Sequence, residues 1–181
     1  MKYIGRYSAW KMIRVILPMV LLCLLLACSR QESRSVKVGS LAPDFTVKDL
    51  DGKVFSLSDS KGAPVVLRFF LTDCKFCRAD TPVFNDYYKK FHSQGLRVIY
   101  IDTLGLDDQA LQSFKEDLKI PFPVARDTGG TVAAAYMVKA LPQTVVLDPQ
   151  HKIIAAILGG VSEPELQRLL SPYLSFDSKV P

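Results

Sequence analysis

Apolar positions gather in two blocks near the middle of this chain. Residues 64–71 are a nearly continuous apolar run and residues 97–104 form a second, the pattern of strands buried on both faces. Between them, residues 77–94 read as a helix ended by Gly95 as C-cap. Pro82 falls inside it and is expected to kink it, because the proline ring blocks a regular hydrogen bond. Asp107 reads as the N-cap of a helix reaching Lys119, with Leu111, Phe114 and Leu118 on one face. A short helix is expected at 131–136, then strands at 144–147 and 153–158 around the turn Asp148-Pro149-Gln150-His151. Residues 163–174 close the pattern as a helix with Ser162 as N-cap and Pro164 near its start, where proline is tolerated. Upstream, alternation at 45–48 and 54–57 flanks Asp51-Gly52 and predicts a hairpin or ribbon. The order is therefore a hairpin, then βαβα, then ββα.

The first residues have a different character. Lys2, Arg6, Lys11 and Arg14 precede an apolar stretch at 15–26 and then Ala27-Cys28, the layout of an export signal. The stretch is shorter than the roughly 20 residues a membrane-spanning helix needs. Leu25-Leu26-Ala27-Cys28 resembles the lipobox of bacterial lipoproteins. That likeness implies that Cys28 is lipidated and becomes the new N-terminus; a retained signal anchor is the alternative. Cysteine counting agrees with lipidation, since Cys23 leaves with the signal and Cys74 pairs with Cys77, so Cys28 would otherwise be an odd exported thiol. Either way the domain is expected outside the cytoplasmic membrane and tethered to it. The formal charge of +5 falls to +1 once the four basic residues of the signal are removed, which leaves no electrostatic case for nucleic acid. The expected division is a signal peptide at 1–27, a flexible tether at 28–40, one domain at 41–174 and a tail at 175–181.

The candidate chemistry lies just after the first apolar block, at Cys74-Lys75-Phe76-Cys77. At the first turn of a helix, cysteines at this spacing close a small reversible disulfide ring. The helix start offers free N–H groups and the positive end of the dipole to Cys74, which favours its thiolate for attack and leaves Cys77, a turn inward, to resolve the mixed disulfide. A C-x-x-C is also half of a zinc site, but tetrahedral zinc wants four ligands, and His92 and His151 are far apart, each without a partner at ligand spacing. An inert staple is disfavoured because so short a loop removes little chain entropy. The direction of electron flow stays open, since potentials of related active sites span about −270 to −120 mV.

This order of elements, with C-x-x-C after the first core strand and Leu-Pro before the third, resembles the thioredoxin fold: an α/β domain with a central mixed β-sheet flanked by helices, here extended by an N-terminal β-hairpin. Within it the chain is similar to the membrane-tethered, extracytoplasmic TlpA/ResA-like group. Gly39-Ser40-Leu41-Ala42-Pro43-Asp44-Phe45, Cys77-Arg78-Ala79-Asp80-Thr81-Pro82 and Ala140-Leu141-Pro142-Gln143-Thr144 carry the likeness, over about residues 38–174. It implies a thiol-disulfide oxidoreductase with Cys74 as the attacking and Cys77 as the resolving thiol. Pro142 would be a cis-proline, and Leu141 before it would offer backbone hydrogen bonds to an extended substrate. Asp80 matches a position where the group usually has Glu, implicated in proton handling; an exposed carboxylate favouring the helix dipole is the other reading. The implied partners are protein disulfides, with apocytochrome c or copper-site proteins as substrates, a membrane dithiol electron donor and a lipid anchor, on a monomer that needs no cofactor or metal.

Two residues depart from the group. Asp73 stands before the first cysteine where Trp is typical, and Trp10 in the signal is the only tryptophan. Arg68 interrupts the apolar strand where thioredoxins carry a buried Asp; burial demands that it reach solvent or meet a carboxylate, with Asp80 the nearest candidate. Other enzymes and binders share parts of this pattern. A peroxiredoxin would need a Pro and a Thr about where Phe70 and Leu71 stand, and a Sco-like copper protein spaces its cysteines three residues apart and adds a histidine, here His92 or His151.

Overall fold

In the computed structural model, which describes residues 36–104 and 107–176, the first apolar block is the central strand of a five-stranded sheet. The expected signal, Cys28 and most of the expected tether lie outside the described residues. Among the described residues, no helix is long and apolar enough to cross a membrane.

The hairpin forms as expected: β1 (Thr46–Lys48) pairs antiparallel with β2 (Val54–Ser56). The central strand is β3 (Val65–Phe70), with all of its residues buried. It leads into α1 (Lys75–Phe91), then β4 (Arg97–Asp102) and α2 (Asp108–Asp117), capped by the Asp107 carboxylate, which accepts the Gln109 N–H at 2.8 Å. β5 (Val124–Arg126), the short α3 (Thr131–Ala135), β6 (Gln143–Leu147), β7 (Ile153–Leu158) and α4 (Glu163–Leu170) follow. The sheet order is β5-β4-β3-β6-β7, with β3, β4 and β5 parallel and β6 and β7 antiparallel to their neighbours.

Alternation along β3 divides the core. Val65, Leu67 and Phe69 face a cluster with Phe45, Val132 and Tyr136, whereas Val66 and Phe70 face the helical side with Phe84, Phe91, Phe114 and Leu166. Arg68, with the parity of Val66 and Phe70, belongs to that helical side. The N-terminal segment crosses the sheet from rim to rim. Gly39 N–H donates to Ile153 O at 2.7 Å and Leu41 bridges Lys152 at the β7 rim, while Asp49 bridges Ala125 and Leu50 N–H donates to Val124 O at 2.9 Å at the β5 rim.

Several boundaries differ from the sequence reading. α1 begins at Lys75 rather than Cys77, because Cys74 itself occupies the N-cap. It runs through Pro82 and ends at Phe91, and a 3-10 turn then carries the chain to Gly95, whose φ of 103° is the left-handed C-cap conformation. β5 was not anticipated: a three-residue strand between Pro123 and Asp127 is too short to show a period. α4 stops at Leu170 because Pro172 follows, so 171–174 is a turn, and Ser162 holds the N-cap position without a side-chain cap bond.

Candidate active site

The strand that places Arg68 in the core also delivers the dithiol. β3 ends at Phe70, and Cys74 starts α1 with an extended backbone (φ −74°, ψ 114°) that frees it from the helix and turns its side chain onto the helix end. Cys74 Sγ accepts the N–H of Cys77 at 3.1 Å, so the sulfur takes the place of a side-chain cap. The two cysteines form a disulfide with Cα atoms 5.2 Å apart. Cys77 is fully buried (0% exposed), whereas Cys74 is partly exposed between the exposed Asp73 and Lys75. Phe76, 68% exposed, presents an apolar face beside it. An exposed sulfur at a helix N-terminus, closed onto a buried one, can open to a thiolate that attacks from outside.

The second wall comes from β6. Because β6 is antiparallel to β3, its first residues lie at the same edge as the end of β3: Gln143 pairs with Phe69. Leu141 and Pro142 therefore stand at the edge from which the chain runs to Cys74. Their peptide bond is cis. Pro142 is buried and its carbonyl accepts Gly159 N–H at 2.8 Å, while Leu141 is half-buried.

Beneath the dithiol lies an ion pair. Arg68, 0% exposed, donates from its guanidinium to Asp80 Oδ2, to Thr144 Oγ1 at 2.5 Å and to Gly159 O at 3.0 Å. Asp80 Oδ2 also accepts Val161 N–H at 2.9 Å. The reading of Asp80 as an exposed dipole partner is therefore corrected: it is buried, because α1 turns it onto the sheet to meet Arg68. Burial pushes its carboxyl above the usual range, and the Arg68 charge and the Val161 N–H oppose that push. Burial likewise lowers the guanidinium from its ordinary value, opposed by Asp80. Thr81 donates to Cys77 O at 2.5 Å and lies 3.3 Å from the buried Tyr100 hydroxyl, whose pKa burial also raises. Thr144, Gly159 and Val161 escaped sequence reasoning, although strand parity could have found Thr144, which pairs with Arg68.

The histidines do not join the site. His92 lies just past the far end of α1, about 27 Å along the helix from Cys74 at 1.5 Å per residue, with its ring bonded to Tyr88 O. His151 is buried in the turn between β6 and β7. Among the described residues, no group of three His, Cys, Asp or Glu is placed to hold a metal ion.

Comparison with known proteins agrees with this geometry. The model of the AhpC/TSA family matches residues 38–156. The chain belongs to that family. The thiol-disulfide oxidoreductase ResA of Bacillus thuringiensis subsp. konkukian is 34% identical over 139 residues, 77% of this chain and 80% of that protein, and ResA of Bacillus subtilis is 36% identical over 129 residues, covering 71% and 72%. The thioredoxin domain of a thiol-disulfide oxidoreductase from Bacteroides vulgatus superposes with a TM-score of 0.69 at 27% identity, covering 78% of this chain and 100% of that one. The fold is thus thioredoxin-like, with the central mixed sheet and N-terminal hairpin described above, and this member of the family is a thiol-disulfide oxidoreductase with a Cys74–Cys77 pair.

Proposed function

We propose that the protein is a lipid-anchored monomer at the extracytoplasmic face of a bacterial membrane that reduces protein disulfides, with Cys74 attacking and Cys77 resolving. The observation that carries this reading is the asymmetry of the pair: Cys74 is partly exposed at the N-cap, while Cys77 is buried a turn inside. The Cys74 thiolate attacks one sulfur of a substrate disulfide, forms a mixed disulfide and releases the other sulfur as a thiol. Cys77 then attacks Cys74 Sγ, expels the second substrate thiol and closes the Cys74–Cys77 disulfide. Two electrons and two protons pass to the substrate, and a membrane dithiol donor returns them to the protein.

Leu141 and Pro142 present the backbone edge against which an extended substrate segment lies. Asp80, on α1 one turn beyond Cys77, handles the proton of the resolving thiol. The substrates are apocytochrome c or copper-site proteins, a choice supported by family likeness. Residues 1–27 are the export signal and Cys28 carries the lipid.

The test is disulfide reduction in insulin together with trapping in cells. Cys74→Ser should abolish insulin reduction, and Cys77→Ser should accumulate a mixed disulfide whose partner is identified by mass spectrometry. Full insulin reduction by Cys74→Ser would sink the assignment of roles.

A further inference from the structure

β3 carries one charged residue, Arg68, and its hydrogen bonds go to groups next to the dithiol helix and the Leu141-Pro142 loop. Its cross-strand neighbours are Tyr100 on β4 and Thr144 on β6, and α1 covers it. Asp80 stands three residues beyond Cys77 on α1. Thr144 stands two residues beyond Pro142, and Gly159, whose carbonyl accepts from Arg68, donates its N–H to Pro142 O at 2.8 Å. The Phe84 ring, one turn beyond Asp80, lies 5.2 Å from the guanidinium carbon. A guanidinium stays charged in proteins, and a buried one needs an anion beside it. Asp80 is that anion. It spends Oδ2 on both Arg68 and Val161 N–H and leaves Oδ1 buried without a hydrogen-bond partner.

Helix neighbours at this spacing lie about 5–6 Å apart at Cβ, so Cys77 feels any imbalance in the pair. Around it, the charged and titratable groups are Asp80 on α1, Arg68 on β3 and the Tyr100 phenol on β4, with Asp73, Lys75 and Arg78 exposed around the mouth.

We propose that Arg68 is a positioning residue of the exchange reaction: it fixes Asp80 beneath Cys77, ties the dithiol helix to the Leu141-Pro142 loop, and cancels the Asp80 charge so that thiolates form against a neutral background. The proposal rests on the dithiol reading above. It differs from a purely structural role in its sign. Removing Asp80 leaves a cation, which stabilises thiolate and favours the dithiol; removing Arg68 leaves the Asp80 carboxylate unpaired, and an anion beside Cys77 destabilises thiolate and favours the disulfide.

The experiment equilibrates the full-length protein, Asp80→Asn, Arg68→Met and the double variant Arg68→Met/Asp80→Leu with glutathione buffers, after circular dichroism has established that each is folded. Asp80→Asn should shift the equilibrium about tenfold toward the dithiol, equivalent to about 30 mV for a two-electron couple, and lower the thiol titration. Arg68→Met should shift it the other way, and the double variant should return within threefold of wild type. Shifts of the same sign in both single variants, or a shift below threefold in Asp80→Asn, would overturn the proposal. Should Arg68→Met fail to fold, Asp80→Asn against the double variant decides: a difference of threefold or more upholds it and a smaller one overturns it. Failure of the wild-type protein to exchange with glutathione at all would instead remove the dithiol reading.

Discussion

Cys74 and Cys77 share a helix turn but not an environment. In the reduced protein a small alkylating agent should modify Cys74 on the order of ten times faster than Cys77, because the first sulfur is partly exposed at a positive helix end and the second is buried. Mass spectrometry of tryptic peptides at short times reads this directly, and equal labelling would contradict it. Arg68 was legible because a charge inside an apolar strand has to be answered, and Asp80 was the nearest acid on the helix that follows. Thr144, Gly159 and Val161 were not legible as its company, because strand pairing brings them there from the second half of the chain. Energetics should follow the same logic. Arg68→Met should lose on the order of 3 kcal/mol by leaving Asp80 buried and unpaired, while the double variant Arg68→Met/Asp80→Leu should stay near wild type, since a buried ion pair is worth little more than well-packed apolar groups. Denaturant melts of the two variants measure the difference.

At the scale of elements, the clearest sequence signals belonged to strands with no solvent face: β3 and the buried part of β4 are nearly continuous apolar runs too short for a buried helix and rich in β-branched and aromatic residues. β5 was hidden because three residues show no period and its pairing with β4 is a tertiary fact. The start of α1 shifted because a cysteine sulfur, absent from the usual set of capping residues, receives the Cys77 N–H. α1 and α4 meet at Tyr87, whose hydroxyl donates to Glu163 O at 3.1 Å. Its phenol is pushed up to about 12, by burial first and by the Glu163 charge second. The raised value means that the folded state favours the neutral phenol, so its contribution is complete below about pH 10, the ordinary tyrosine value, and is lost as pH climbs through the folded value. Wild type should therefore be more stable than Tyr87→Phe up to about pH 10 and lose that advantage at higher pH. Urea melts across that range check it; a constant gap would show that the hydroxyl does not titrate with folding.

At the scale of the whole molecule, the anchoring proposal predicts that Cys28→Ala leaves either a soluble protein or an uncleaved precursor. Fractionation with acyl-chain labelling tests this, and a mature-sized, membrane-bound protein free of acyl chains would contradict it. The fold class was legible as a whole because the strand and helix periods, the dithiol after β3 and the Leu-Pro before β6 fall in one order. The rim-to-rim course of the N-terminal segment was not, since bridges such as Leu41 to Lys152 and Asp49 to Ala125 leave no local pattern. That course carries a consequence in time. Residues 39–50 are the first part of the domain to be synthesised, yet their seats beside β5 and β7 are made only in its second half. Unpaired strand edges invite pairing with other chains, and contacts between such distant residues close slowly. The first part of the domain to leave the ribosome has no seat until β5 and β7 exist, and until it takes that seat the finished sheet has two open rims.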